Sequence, residues 1–482
     1  MNHLYLGDCL EVLRHNVPDE SVDLIYIDPP FNSKRDYNIF FDSKEIQTQR
    51  VAFEDTWTLK SIQESLSDLH NLETDKIYKL LITYQEVAPH AFPYLVMMAL
   101  RIIELHKVLK STGSFYLHCD PTMSHYLKTI CDVIFHPKNF RGEIIWRRAA
   151  GFKRSSARKF PQKNDNILHF SKTENITWNP QYKPHKEEYL KRFKQDKDGR
   201  YYRDDVNPTK GGTRTIYLDE VEGDLIDSVW IDINPVNPVA KERLGYPTQK
   251  PRALLERIIQ ASSNEGDIVL DAFCGCGTTV DAAESLHRQW IGIDVSPIAI
   301  SLIKRRLKDA YKDSLNKFEV RGTPTDQQSA IRLWQENAFA FQDWWLTEFE
   351  VFSTTEGTKG ADKGIDGIGQ YLVGKETVIR VAYQVKGGKV QSKDIDALIG
   401  VLSKHKCDLG IFLTLESPTK PMMDTAAGQG FVEYPGFQFP KIQILTLKDF
   451  FDNKRPKLPK ENITFRKAQT KGKKSQQFKM EM

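Results

Sequence analysis

Val22-Asp23-Leu24-Ile25-Tyr26-Ile27-Asp28-Pro29-Pro30-Phe31 is the stretch on which the fold turns. Its first six residues are apolar and rich in β-formers, and they read as a buried strand. Two successive prolines have no amide hydrogens for a sheet ladder, so the strand stops at Asp28. A carboxylate, a stiff turn and an aromatic ring are thus presented together at the carboxyl end of a strand, where open α/β sheets bind ligands. The set suits a flat ligand that bears an amine. Phe31 can stack on it, while Asp28 and the Pro29 carbonyl accept its amino hydrogens. Taken alone, Asp-Pro-Pro is as readily a plain strand-ending turn, and the rest of the chain decides between the two.

On the amino side, Leu4-Tyr5-Leu6-Gly7-Asp8 is a short strand that ends in an acid, followed by a helix from Cys9 to about Arg14. That strand–helix–strand unit builds parallel sheets. On the carboxyl side, residues 32–80 are polar and read as a mobile loop and irregular helix, suited to a lid. A helical pattern with Leu95, Met98, Ile102 and Leu105 on one face then spans Tyr84 to Leu109. The strand Ser114–His118 and a helix from Pro121 to Ile134 continue the alternation to about residue 145.

The rhythm resumes after Tyr246-Pro247-Thr248-Gln249-Lys250-Pro251 with a helix carrying Leu254, Ile258 and Ile259. Ile268-Val269-Leu270-Asp271 is a strand. Ala272-Phe273-Cys274-Gly275-Cys276-Gly277-Thr278-Thr279 leads into a helix, and Trp290–Asp294 is the next strand. Glycines at a strand–helix junction let a ligand approach the backbone and face the amides of the helix N-terminus. Asp294, closing the following strand, is placed for two ribose hydroxyls. The Gly-Lys-Ser/Thr ending of a phosphate loop is missing.

The net charge of +4 over 482 residues hides an uneven distribution. Residues 141–214 carry 19 Lys+Arg against 9 Asp+Glu, and residues 453–482 carry 10 against 2. In the first stretch, Trp146-Arg147-Arg148, Phe152-Lys153-Arg154, Arg158-Lys159-Phe160 and Lys191-Arg192-Phe193-Lys194 interleave cations with rings, as in a nucleic-acid surface. The second is almost free of apolar residues and reads as a disordered tail. No apolar run reaches membrane-spanning length, and no secretory pattern opens the chain. Six cysteines without Cys-x-x-Cys spacing read as reduced thiols in a cytoplasm, not as a zinc site or a disulfide frame.

A second domain begins near Gln328. Trp334, Phe341, Trp345 and Phe349 fit a helix running up to Glu350. A glycine-rich segment containing Gly364-Ile365-Asp366-Gly367 follows, then a strand from Thr377 to Lys386, a helix from Asp394, the strand Leu409–Thr414 and a helix near Met422.

With these pieces in place, residues 1 to about 310 resemble an S-adenosylmethionine-dependent amino-methylating DNA methyltransferase. The resemblance rests on Gly7-Asp8, Asp28-Pro29-Pro30-Phe31, Tyr246–Pro251 and Asp271–Thr279, in the beta order of catalytic turn, target-recognition region, cofactor loop. Tyr246 departs from the His common in relatives. The resemblance implies a doubly wound, mostly parallel α/β sheet of seven strands. It implies catalytic roles for Asp28, Pro29, Pro30 and Phe31, and cofactor contacts from Asp8, Thr248, Lys250, Asp271, Phe273, Gly275, Gly277, Thr278 and Asp294. Asp8 would take the adenine of the cofactor, Asp294 its ribose, and Thr248 and Lys250 its carboxylate. An Asp opening the catalytic turn suggests N6 of adenine. N4 of cytosine, or RNA as substrate, is the alternative.

Residues 328–450 are similar to the catalytic domain of Mrr-like restriction endonucleases, a smaller α/β domain. That likeness implies Mg²⁺ held by Glu350, Asp366 and Gln384, with Asp366, Gln384 and Lys386 as catalytic residues. A module that binds DNA or a partner without cutting is the alternative. The expected organisation is residues 1–145 and 246–315 as methyltransferase halves, 146–245 as target recognition, 316–327 as linker, 328–450 as nuclease and 451–482 as tail. The expected partner is double-stranded DNA, with a homodimer left open.

Overall fold

The computed structural model describes residues 1–30, 66, 67, 69, 75–148, 160–206, 211–237, 240, 242–244, 249–353, 364–374 and 377–462. Nine strands form its main sheet: β1 (Asn2–Leu6), β2 (Val22–Ile27), β3 (Leu109–Cys119), β4 (Phe140–Arg147), β5 (Asn164–Ser171), β6 (Val229–Trp230), β7 (Ile268–Asp271), β8 (Gln289–Asp294) and β9 (Phe318–Arg321). Their order is β6-β4-β5-β3-β2-β7-β8-β1-β9, with β2 at the centre and buried at every position. All neighbours are parallel except the two pairs made by β5, which runs against β3 and β4. This is the mostly parallel doubly wound sheet expected, with β6 and β9 added at its edges.

β2 explains why the sheet is covered on both faces. Its Val22, Ile25 and Ile27 enter one core layer with Leu95, Met98, Ile102 and Leu105 of the helix Phe92–Val108. Its Leu24 and Tyr26 enter the other with Leu254, Ile258, Val280 and Ile303, from helices that follow or precede β7 and β8. A strand apolar on both sides has to be sandwiched in this way. The helix expected over Tyr84–Leu109 is two helices, Asp75–Val87 and Phe92–Val108. Pro89 and Pro93 account for the break, since neither has an amide to give. The lid expected over residues 32–80 lies largely outside the described residues.

Two domain boundaries move. β9 lies inside the stretch expected as linker and pairs with β1 from Asn2↔Phe318 to Tyr5↔Arg321, so the sheet extends to Arg321. β4 and β5 carry the sheet well into residues 146–245, and β5 is almost wholly buried. The polar letters of Asn164-Asp165-Asn166-Ile167-Leu168-His169-Phe170-Ser171 hide this strand from an apolar-pattern reading. Three of its polar side chains meet partners far away in the chain: Asp165 with His118, Asn166 with Glu143, His169 with Ser114.

The remainder of the insertion is built from short strands, including the antiparallel set Lys194–Gln195, Tyr201–Val206 and Thr213–Tyr217. Several of its cations and rings serve one another. Arg200 donates to Asp219 and Glu220 and lies over the Tyr217 ring, while Arg203 pairs with Asp205 and lies over Tyr189. Trp146 and Phe193 are buried, so these two rings hold the fold together; Phe160 is 96 % exposed. Residues 149–159, with Phe152 and its cations, lie outside the described residues.

In the second domain β10 (Phe352–Ser353), β11 (Gly367–Val373), β12 (Thr377–Lys386), β13 (Leu409–Thr414) and β14 (Ile442–Thr446) form a sheet in that order, and β15 (Glu461–Asn462) pairs with β11. The expected single helix up to Glu350 is two, Gln327–Glu336 and Ala338–Thr347, because the Asn337 side chain caps the second by accepting from the Phe339 and Ala340 amides. Glu350 therefore follows the helix, at φ +55°. The domain also runs past residue 450. Asn462 Nδ2 donates to the Phe349 carbonyl at 3.0 Å and to that of Glu350 at 3.3 Å, so the tail expected from residue 451 starts no earlier than 463. Among the described residues no helix is long and apolar enough to cross a membrane, and the six cysteines are unpaired.

Candidate active site

The turn after β2 carries the first group. Asp28 is largely buried, and its Oδ2 accepts from the Lys250 ammonium, which is also buried. Its Oδ1 is buried without a hydrogen-bond partner. An acceptor held this way is costly unless something comes to donate to it. Lys250 was expected beside the cofactor carboxylate; here its ammonium pairs with Asp28 across 222 residues of sequence. Pro29 is buried and Pro30 exposed. Phe31 and Thr248 lie outside the described residues.

The strand next to β2 supplies the second group. Asp271 closes β7, and its carboxylate accepts from Thr279 Oγ1 at 2.5 Å and from the Phe273 amide at 3.0 Å. Burial pushes its carboxyl up to about 7; those two hydrogen bonds oppose the rise, and the charges of Asp28 and Asp294 add to it. Asp294 closes β8. Its Oδ2 accepts from the Gly275 amide and its Oδ1 from the Ser296 amide, both at 2.8 Å, and burial pushes its carboxyl up to about 6. The glycine loop is thus tied to the following strand end. Gly277 begins the helix Thr278–Ser285 at φ +73°, and a Cβ there would stand 2.6 Å from Ile303 Cγ1. Thr278, expected as a cofactor contact, is buried, and its hydroxyl accepts from Arg306 Nη1 at 3.1 Å, a contact inside the protein. Phe273 is half-buried against the core layer that contains Ile27.

Asp8 sits on the other side of β8. It caps the helix Cys9–Asn16, accepting from the Leu10 amide at 2.7 Å. Arg101 Nη2 also donates to both of its oxygens, at 2.9 and 2.6 Å. Sequence reasoning missed Arg101. The available signal was a lone arginine among apolar residues in Phe92–Val108, because a buried cation requires a carboxylate.

A further polar row was also missed. Tyr26 Oη lies 2.8 Å from His118 Nδ1, and His118 Nε2 lies 3.2 Å from Asp165 Oδ2. All three residues are buried. Arg148 Nε stands 3.2 Å from Asp165 Oδ1.

In the second domain, Asp366 precedes β11; its amide donates to the Tyr383 carbonyl and its Oδ2 accepts from the Val385 amide at 2.7 Å. Those bonds straddle Gln384, whose side-chain Oε1 is buried without a hydrogen-bond partner. Lys386 ends β12 opposite Thr414. The Asp366 carboxylate and the orphaned Gln384 oxygen form a hard-oxygen donor pair that fits a divalent cation.

Comparison with known proteins follows the same division. Residues 344–436 match a family described as restriction endonuclease. Type II methyltransferase M.BamHI of Bacillus amyloliquefaciens is 30% identical over 321 residues, covering 65% of this chain and 58% of that protein. Type II methyltransferase M.EcaI of Enterobacter cloacae is 29% identical over 276 residues, 46% of this chain and 61% of that protein. DNA adenine methyltransferase YhdJ of Escherichia coli (strain K12) is 26% identical over 301 residues, 62% of this chain and 81% of that protein. The chain thus spans about three fifths of the length of the first two relatives. Residues 22–305, more than half of the chain, match the family described as DNA methylase, and with the strand-end carboxylates and glycine loop in place the chain belongs to that family.

Proposed function

We propose that the chain is a site-specific DNA methyltransferase that modifies N6 of adenine in duplex DNA, with S-adenosylmethionine as methyl donor. The observation that carries this is the Asp28 carboxylate, buried at the end of the central strand with Oδ2 on Lys250 and Oδ1 unpaired. A carboxylate prepared in this way accepts one hydrogen of an exocyclic amine, and the Pro29 carbonyl takes the other. Both bonds draw the amino nitrogen towards tetrahedral geometry and offset the positive charge that develops on it. A base in a duplex has to leave the stack to reach this turn, and Phe31 stacks on it there.

The donor set fits the cofactor. Asp294 ends β8, beside the strand that leads into the glycine loop, Asp8 follows β1 on the far side of β8, and the helix N-terminus at Gly277 offers amides. Bound S-adenosylmethionine supplies an activated methyl group. Asp271, Gly275, Gly277, Phe273 and the backbone at Thr278 would hold its methionine end, Asp294 would take the ribose and Asp8 the adenine; Thr248 and Lys250 are carried over for its carboxylate from the resemblance, Lys250 reaching it from its place on Asp28. The second domain makes the chain a cytoplasmic single-chain restriction–modification protein. Glu350, Asp366 and Gln384 would hold a Mg²⁺ ion, which would polarise a phosphate oxygen, and Lys386 would orient water and offset charge at phosphorus.

The decisive test is methyl transfer from labelled cofactor to duplex DNA, followed by nucleoside digestion. N6-methyladenine is the expected product. N4-methylcytosine, or transfer to RNA alone, overturns the choice of base or of nucleic acid. Cleavage is tested on unmodified and modified DNA with Mg²⁺, and no cutting of either overturns the nuclease half. Light scattering of the purified chain distinguishes a monomer from a homodimer.

A further inference from the structure

β7, β8 and β1 lie side by side and parallel, and an acid stands at the carboxyl end of each: Asp271, Asp294 and, just past Leu6, Asp8. The Gly7 amide donates to the Asp294 carbonyl at 2.9 Å, which fixes Asp8 beside the end of β8, on the side away from the glycine loop. The Asp8 side chain is 35 % exposed and that of its partner Arg101 is 8 % exposed. A ligand lying across these strand ends can reach Asp8, while Arg101 stays inside the fold.

All three guanidinium nitrogens of Arg101 are engaged. Nε donates to Cys9 Sγ at 3.2 Å, Nη1 to the Met97 carbonyl at 3.3 Å, and Nη2 to both Asp8 oxygens. Burial pushes the Cys9 thiol up to about 11, so Cys9 is a neutral acceptor, and among the described residues Asp8 is the one acid paired with this cation. A planar fork held at every nitrogen has one orientation, and it imposes one on the carboxylate. Asp8 Oδ1 accepts from Arg101 and from the Leu10 amide, which fills it. Oδ2 accepts from Arg101, which leaves one lone pair for a donor from outside. Because the Arg101 cation offsets the charge of Asp8, that place suits a neutral N–H, such as the amine of a flat base, and a cationic ligand gains little there.

We propose that Arg101 is a positioning residue that gives the cofactor site its selectivity for a 6-amino purine, a proposal that rests on the methyltransferase reading and on Asp8 as the residue facing the adenine. Held by Arg101, Asp8 presents Oδ2 as a fixed acceptor to the exocyclic amine. A 6-oxo purine brings a carbonyl oxygen to the same place, where it meets an acceptor, and is rejected. The paired cation also lowers the cost of covering the carboxylate with a base.

The test is calorimetric binding of two ligands to the full chain: S-adenosylhomocysteine, which is the donor without its methyl group, and its 6-oxo analogue S-inosylhomocysteine. The wild type should prefer the adenosyl ligand by about a hundredfold or more. Arg101→Met should lower that preference by about tenfold or more, with affinity for the inosyl ligand within about threefold of wild type; damage to the fold alone weakens both ligands equally. Asp8→Asn keeps the helix cap, loses the outward acceptor and should lower the preference by a similar factor. The double variant should fall no further than Asp8→Asn, because Arg101 acts through Asp8. Thermal melts show which variants fold. Where Arg101→Met does not, Arg101→Lys carries the test, with a loss of preference of about threefold or more, because a single ammonium cannot reproduce the fork. A wild-type preference retained by the folded Arg101 variant, or two losses that multiply in the double variant, overturns the inference while the methyltransferase reading stands. A preference unchanged in Asp8→Asn overturns the adenine assignment and the inference together. A wild type that binds neither ligand overturns the methyltransferase reading itself.

Discussion

Asp28 and Lys250 concentrate the chemistry of the site in one ion pair, both partners largely buried. Asp28→Asn removes the charge that offsets the developing ammonium, so methyl transfer should fall by about a hundredfold or more with DNA binding retained, as measured by transfer rates and gel shift. Lys250→Met leaves a buried carboxylate uncompensated, which costs on the order of 3 kcal/mol and should appear as a lower melting temperature. Asp271 adds a pH dependence. Its carboxyl is raised by burial to about 7, so the folded chain holds a proton that the unfolded chain releases at lower pH. The contribution to stability is present below the ordinary carboxylate range and is lost as pH rises through about 7. Asp271→Asn should therefore stabilise the ligand-free chain more at pH 8 than at pH 5, and thermal melts at the two pH values check the difference.

At the scale of elements, the helix Thr278–Ser285 is held where it begins by one left-handed glycine under Ile303. Gly277→Ala should cost about 1–3 kcal/mol in a urea titration and weaken cofactor binding in calorimetry, because both the backbone conformation and the Ile303 contact resist a methyl group. The C-terminal strand β15 is a second such element. Ending the chain after residue 450 removes its pairing with β11 and the Asn462 bonds to Phe349 and Glu350. Ending it after residue 462 keeps both. The shorter chain should melt at lower temperature than the longer one, and equal melting would show that the strand adds nothing.

At the scale of the whole molecule, two sets of acids serve two sheets. Asp366→Ala should abolish Mg²⁺-dependent cleavage and leave methyl transfer within about twofold, while Asp28→Ala should do the reverse; parallel assays on one DNA read both. Helix Pro297–Tyr311 of the first domain packs against helix Ala338–Thr347 of the second, with Ser301 Oγ donating to the Thr347 carbonyl at 3.4 Å.

Residue order alone determined the central strand, its diproline stop, the glycine loop and the acids that end β7 and β8, because each is a local pattern: an apolar run, two missing amides, a turn that needs glycine. The same is true of the Gln384-Val385-Lys386 strand end. Only the tertiary structure decided the partners. Lys250 on Asp28, Arg101 on Asp8 and the row from Tyr26 to Asp165 join residues tens to hundreds of positions apart. β5 and β9 likewise became sheet strands through their neighbours, since a polar strand is stable only where its polar groups are met across the sheet.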